Sequence, residues 1–168
     1  MPLQSRRPKI FIVSVLIFSF LLLILDQILK NLSLGKWNFD LLANHYFGWH
    51  PFLNPGIAFS LPVPQTVILI LTSPVIFFIG IKAYQDAQEI LKQNQTDMLS
   101  FAGLVLVFFG ACSNFADRVI HRFTVDYLLI FTAVINLADA MIVVGFALYL
   151  KSILKNKENS KEEYVSQS

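Results

Sequence analysis

Apolar residues gather into four blocks along the chain, at about 10–29, 65–81, 98–115 and 128–150, with polar stretches between them. Each block approaches or exceeds the roughly 20 residues needed to cross a bilayer as a helix. A lipid interior offers the backbone no hydrogen-bond partners, so a crossing segment satisfies its own groups most simply as a helix. Sustained period-2 alternation is absent, which argues against a membrane barrel. The pattern therefore predicts an all-α integral membrane fold with four transmembrane helices. Pro74 falls inside the second block, the shortest span, with Pro62 and Pro64 just ahead of it. Neighbouring Ser and Thr side chains can satisfy the backbone groups that a kink there would free.

Composition agrees with the pattern. Of 168 residues, 55% are hydrophobic and 14% charged, where a soluble domain carries about a quarter charged. The mean hydropathy is +0.61. These values exclude an ordinary soluble domain and a disordered chain, and they argue against nucleic acid as a partner. One cysteine, Cys112, rules out an internal disulfide. The scattered His45, His50 and His121 specify no metal site.

The position of charge says more than its sum. Arg6, Arg7 and Lys9 precede the first block, Lys82 and Lys92 lie between the second and third, and Lys151, Lys155, Lys157 and Lys161 follow the fourth. The other loops hold Lys30, Lys36, Arg118 and Arg122. The positive-inside rule then predicts that both the N and C termini are cytoplasmic. The first block reads as an uncleaved helix, because its long core runs into Asp26-Gln27 and not into a small-residue cleavage site. Residues 31–64 form an extracytoplasmic loop carrying Trp37, Phe39, Tyr46, Phe47, Trp49 and Phe52, aromatics that favour the membrane interface. This loop is expected to be a small β-like folded element. Residues 82–97 read as a polar helix extension and turn. Residues 1–154 form one membrane domain, and the polar stretch 155–168 is expected to be a disordered cytoplasmic tail.

Acidic groups near apolar spans are costly and mark function or pairing. Asp26, Asp117, Asp126 and Asp139 all fall toward the same membrane face. Asp26 and Lys30, four apart, share a helix face and can pair. Asp117 and Arg118 are adjacent and so bond to other segments. Asn136 and Asp139 share a face of the fourth span, with Asp126 upstream. Two close carboxylates share a proton and raise one pKa, which suits activation of water and protonation of a leaving amine. The same residues also suit ion or proton transport. Ser113 and Ser60 have no evident His partner. Gly110, Ala111, Cys112 and Ser113 read as small residues at a close helix contact. Asn54-Pro55-Gly56 reads as a turn, after which Ala58-Phe59 re-enters the membrane.

Taken in order, these pieces resemble the bacterial lipoprotein signal peptidases, or signal peptidase II. Asp26-Gln27 with Lys30 resembles that family's DQxxK element, and Asn54-Pro55-Gly56-Ile57-Ala58-Phe59 its NxGxAF element. Gly110-Ala111-Cys112-Ser113-Asn114 through Asp117-Arg118 is similar to GxxxNxxDR, Val125-Asp126-Tyr127 to the last three positions of VxDF, and Asn136-Leu137-Ala138-Asp139 to NxAD. Each motif is weak alone, but five in order on four spans are specific. The resemblance implies an aspartyl protease of the bacterial cytoplasmic membrane. Its active site faces the extracytoplasmic side, and it cuts the signal peptide from prolipoproteins whose lipobox cysteine carries diacylglyceryl. It implies Asp126 and Asp139 as the catalytic pair. Asp26, Lys30, Asn54, Gly56, Gly110, Asn114, Asp117, Arg118, Asn136 and Ala138 would form and brace the cleft. It implies no cofactor and no metal, with the prolipoprotein and membrane lipid as the partners of a monomeric enzyme.

Three departures from the family pattern stand out. Residues 119–124 contain no Gly, and Arg122 occupies the usual Gly position. Tyr127 replaces Phe, a mild change. Residues 127–135 leave little room for the family's short outer amphipathic element. Two competing readings follow from these residues, a paralogue that binds lipopeptides without cutting and a small transporter or proton relay. A third is a non-catalytic assembly subunit.

Overall fold

A computed structural model describes residues 7–56, 63–92 and 97–166, with backbone alone from 159 onward. Its elements run α1 (Arg7–Leu34), β1 (Leu41–Asn44), β2 (Phe47–Asn54), α2 (Gln65–Leu91), α3 (Met98–Ile120), β3 (Thr124–Ile130), β4 (Ala133–Ile135) and α4 (Leu137–Ser166). Among the described residues four helices are long and apolar enough to cross a membrane, so this is a multi-pass membrane protein.

The helices wear their apolar residues outward. Phe18, Leu21 and Ile17 of α1, Ile70, Phe77 and Phe78 of α2, and Val143 and Phe146 of α4 are all exposed. Buried polar side chains are as numerous as buried apolar ones. That is the reverse of a soluble bundle, and it follows from a solvent as apolar as leucine. Helices α3 and α4 meet through glycine. A Cβ on Gly103 would lie 2.5 Å from Gly145 O, and one on Gly145 2.6 Å from Gly103 O. A cluster of Ile12, Ala83, Ile90, Phe101, Leu104 and Val105 packs the end of the bundle away from the sheet.

Pro74 lies inside α2. Its missing N–H frees the carbonyl of Ile70, and Ser73 Oγ donates to that oxygen at 3.5 Å. Thr72 Oγ1 donates to Ile68 O at 2.7 Å. The side-chain partner expected for the carbonyl freed by Pro74 is therefore present. The helix also runs ten residues past the apolar block, as the polar extension predicted.

The two connections at the other end fuse into one antiparallel sheet of order β1-β2-β3-β4. β2 pairs with β3 in the register Phe52↔Asp126, Leu53↔Val125 and Asn54↔Thr124. Between Trp49 and Phe52 the register slips, because Pro51 has no N–H to give the ladder.

Two expectations are corrected here. The fourth helix does not begin at 128. Residues 124–135 form the β3–β4 hairpin, and α4 starts at Leu137. An apolar run such as Leu128-Leu129-Ile130 cannot be told from helix by periodicity alone. The β-like element is thus larger than loop 31–64 and recruits the connection between α3 and α4. The stretch 155–166 is not irregular either, since α4 continues to Ser166. Polar composition predicted disorder there, but a helix already nucleated by a packed span extends cheaply. The re-entry expected at Ala58-Phe59, and Ser60, lie outside the described residues.

Arg122 has φ 65°, in the left-handed region. This is the turn where a Gly was expected, and the backbone keeps the glycine conformation without the glycine. Left-handed geometry costs a residue with a Cβ about 1–2 kcal/mol, partly offset by the unfolded-state entropy of Gly. Arg122 is exposed. Arg122→Gly is therefore expected to raise the thermal midpoint in detergent, by about 0.5–1 kcal/mol of stability, while Arg122→Ala leaves it unchanged or lower.

Candidate active site

The site is built around one buried cation. Lys30 Nζ lies 2.8 Å from Asp26 Oδ2 and 2.9 Å from Asp117 Oδ2, and all three side chains are almost wholly enclosed. The i,i+4 spacing on α1 brings the first pair together, and α3 delivers the second carboxylate. Every remaining oxygen of the two acids is occupied. Asp26 Oδ2 accepts from Ser113 Oγ at 2.6 Å, and its Oδ1 from Tyr127 OH at 2.8 Å and Ala138 N at 3.3 Å. Asp117 Oδ1 accepts from Gln27 Nε2 at 3.0 Å, and its Oδ2 from Val125 N at 3.1 Å. These bonds tie α1, α3, β3 and the start of α4 to a single point.

From Lys30 the network continues outward through asparagines. Lys30 Nζ donates to Asn114 Oδ1 at 2.8 Å, and Asn114 Nδ2 donates to Asp139 Oδ1 at 2.8 Å. Asn136 caps α4. Its N–H donates to Asp139 Oδ2 at 3.2 Å, and its Oδ1 accepts from Asp139 N at 2.9 Å, the reciprocal pattern of a capping box. The Asn136 Nδ2 group reaches Asp126 Oδ1 at 2.7 Å and Asn114 Oδ1 at 3.1 Å. Asn54 Nδ2 donates to Asp126 Oδ2 at 3.0 Å. One asparagine therefore holds both aspartates, Asp139 by helix-cap geometry and Asp126 by its amide.

A cavity of about 690 Å³ opens beside them, walled by Asp126, Asp139, Asn54, Asn114, Arg118 and Thr124 on its polar side and by Ile142 and Val143 of α4 on its apolar side. Burial pushes Asp126 up to about 7, and the neighbouring Asp139 adds to the rise against the hydrogen bonds from Asn54 and Asn136. Burial, with Asp26 close by, also holds the Tyr127 phenol well above its ordinary range.

The loop carrying Asn54 is anchored to α3. Gly56 N donates to Asn54 Oδ1 at 3.0 Å, the expected turn. Arg118 Nη2 donates to Gly56 O at 2.6 Å, and Nη1 to Gln65 Oε1 at 3.2 Å. Gln65 in turn donates to Pro55 O. Gly110 brings α3 against α4, since a Cβ there would lie 2.6 Å from Ala138 O.

All twelve residues singled out from the sequence thus fall into one assembly. Asp126, Asp139, Asn54, Asn114 and Arg118 face the cavity, while Asp26, Lys30, Gly56, Gly110, Asp117, Asn136 and Ala138 stand behind it. Four contributors escaped the sequence reading. Gln27 and Gln65 carry no charge to mark them. Ser113 bonds Asp26 and is more than a small residue at a helix contact. Tyr127 is not a mild replacement for Phe, because its hydroxyl donates to Asp26 and accepts from Leu137 N at 3.1 Å. Asp86 was also missed. It is buried at the opposite end of the bundle, between Lys82 at 2.6 Å and Ser100 at 2.6 Å.

Two carboxylates on one cavity wall, at one end of four membrane-capable helices, give a membrane protein with the parts of an acid–base enzyme. A sequence model of the family described as Signal peptidase (SPase) II matches residues 18–155. A lipoprotein signal peptidase of Clostridium novyi (strain NT) is 30% identical over 134 residues, covering 73% of this chain and 85% of that protein. Another from Staphylococcus aureus (strain MRSA252) is 27% identical over 94% of this chain and 98% of its own length. Two solved bacterial membrane enzymes share the fold, with TM-scores of 0.73 and 0.68 at 21% identity. They cover 87% and 84% of this chain, and 90% and 93% of their own. The chain belongs to the signal peptidase II family of aspartic endopeptidases, and its activity is signal-peptide removal.

Replacing the central cation tests the architecture. Lys30→Met leaves Asp26 and Asp117 buried without a counter-charge, a change that typically costs about 3–5 kcal/mol. A large drop in thermal midpoint in detergent is expected, and a midpoint equal to wild type would show that the ion pairs do not hold the site together.

Proposed function

We propose that Asp126 and Asp139 are the catalytic pair, and that the chain cuts prolipoproteins immediately before a lipobox cysteine carrying diacylglyceryl. The observation that carries this reading is the shared grip of Asn136 on both carboxylates at the wall of one cavity. The substrate class comes from the relatives, which are named for lipoproteins.

Asp126 carries the shared proton below about pH 7, because burial disfavours its charged form. It hydrogen-bonds the scissile carbonyl. Asp139, held by Asn114 and Asn136, takes a proton from the attacking water. Collapse of the tetrahedral intermediate breaks the C–N bond, and a proton passes from the pair to the leaving nitrogen. The pair is then ready for the next water, with no covalent intermediate. Ile142 and Val143 give the cavity an apolar flank suited to the diacylglyceryl chains.

The charge distribution supports an orientation with both termini in the cytoplasm and the sheet on the outer face of the bacterial cytoplasmic membrane. There the two aspartates sit at the depth of a lipid-anchored cysteine. The exposed Trp37, Phe39, Leu41 and Phe47 beside the sheet suit contact with membrane lipid.

Asp126→Asn and Asp139→Asn are each expected to abolish cleavage of a diacylglyceryl-modified prolipoprotein, read as a gel shift, with little change in folding. Normal turnover by either variant would remove that residue from the chemistry.

The pH dependence has a definite sign. The proton on Asp126 is lost as pH rises through about 7, so kcat/KM should fall about tenfold per pH unit on the alkaline side. Protonation of the second carboxylate gives the acid limb. A profile level from pH 5 to 9 would exclude Asp126 as the acid.

A further inference from the structure

One buried polar group on the cavity wall is left unused by the network. Thr124 opens β3, is 3% exposed, and borders the same cavity as Asp126 and Asp139. Its Oγ1 is enclosed and has no hydrogen-bond partner among the described residues. The other enclosed, unpaired side-chain atoms there, Ser19 Oγ and Asp97 Oδ2, lie outside this cavity. A buried hydroxyl without a partner weakens a fold, and a side chain of the same shape without the hydroxyl would remove that cost. Valine has that shape.

The strand geometry gives the hydroxyl a direction. Side chains two apart on a strand share a face, so Thr124 and Asp126 leave β3 on the same side, about 7 Å apart along it. The register partner of Thr124 is Asn54, whose amide holds Asp126. An extended peptide lying along this wall advances about 3.3 Å per residue. With its scissile carbonyl at Asp126, a main-chain unit two residues away comes level with Thr124.

We propose that Thr124 Oγ1 is a substrate-binding group that hydrogen-bonds the main chain of the extended precursor two residues from the scissile bond. This rests on the reading of Asp126 and Asp139 as the catalytic pair. A hydroxyl both donates and accepts, so either a peptide carbonyl or an N–H satisfies it. The bond requires χ1 of Thr124 to turn from one staggered well to the next, bringing Oγ1 from its enclosed position to the cavity. The bond is to backbone, so it aligns the peptide whatever lipobox side chain stands there. In its enclosed position the hydroxyl has no partner among the described residues, and the peptide main chain supplies one.

The test compares wild type, Thr124→Val and Thr124→Ser as full chains in detergent, cutting a diacylglyceryl-modified prolipoprotein. Thr124→Val is expected to lose about five- to tenfold in kcat/KM, the worth of one hydrogen bond, while Thr124→Ser stays within about twofold of wild type. Without substrate, the thermal midpoint of Thr124→Val should equal or exceed that of wild type. Wild-type kcat/KM in Thr124→Val would overturn this inference and leave the catalytic pair untouched. A lower midpoint accompanying the lower rate would also overturn it, by showing that the hydroxyl supports the fold. A wild type that leaves the substrate uncut would overturn both readings.

Discussion

The ammonium of Lys30, buried between Asp26 and Asp117, is the constraint on which the site end of this molecule depends. An isolated charge there would be prohibitively costly, so the two carboxylates must be present, and each must be satisfied on its remaining lone pairs. Meeting that requirement draws in Ser113, Gln27, Tyr127, Val125 N and Ala138 N from four different elements. In a bilayer the apolar effect does little to bring helices together. The polar cluster supplies specificity that leucine packing cannot, and it sets the positions of α3, β3 and α4 relative to α1.

The aspartates are placed by what surrounds that cluster. Asn114 bonds Lys30 on one side and Asp139 on the other. Asn136 uses a helix cap to orient Asp139 and a side-chain amide to orient Asp126. Asparagine suits this work because one amide donates and accepts without adding charge. Burial raises the proton affinity of Asp126 most, and the amides of Asn54 and Asn136 oppose that rise by bonding its charged form. The sheet contributes the other half. β2 and β3 belong to different loops, and their pairing brings Asn54 beside Asp126 across 72 residues of chain. Pro51 breaks the ladder nearby, so His50 borders the cavity.

Much of this was legible in the linear sequence, because the bilayer makes sequence rules unusually strict. Each of the four long apolar blocks holds a helix able to cross the bilayer, and charged groups inside them are rare enough to be conspicuous. The spacing of Asp26 and Lys30, of Asn136 and Asp139, and the Asn54-Pro55-Gly56 turn are local properties that helix and turn geometry dictate. The left-handed turn at Arg122 is a local property too, although the glycine that usually reports it is missing.

What only the tertiary structure decided is everything set by partners distant in sequence. The run from Leu128 is apolar enough for helix or strand, and pairing with β2 made it strand. The continuation of α4 to Ser166 depends on a helix already nucleated in the bundle. The roles of Gln27, Gln65, Ser113 and Tyr127 follow from which buried acceptor each one meets. The unpaired hydroxyl of Thr124 is defined by the lack of any such meeting among the described residues. Periodicity and charge determined which segments cross the bilayer and which residues are too costly to be idle. A hydrogen bond between distant segments leaves no periodic trace, so only the folded chain could assign those bonds.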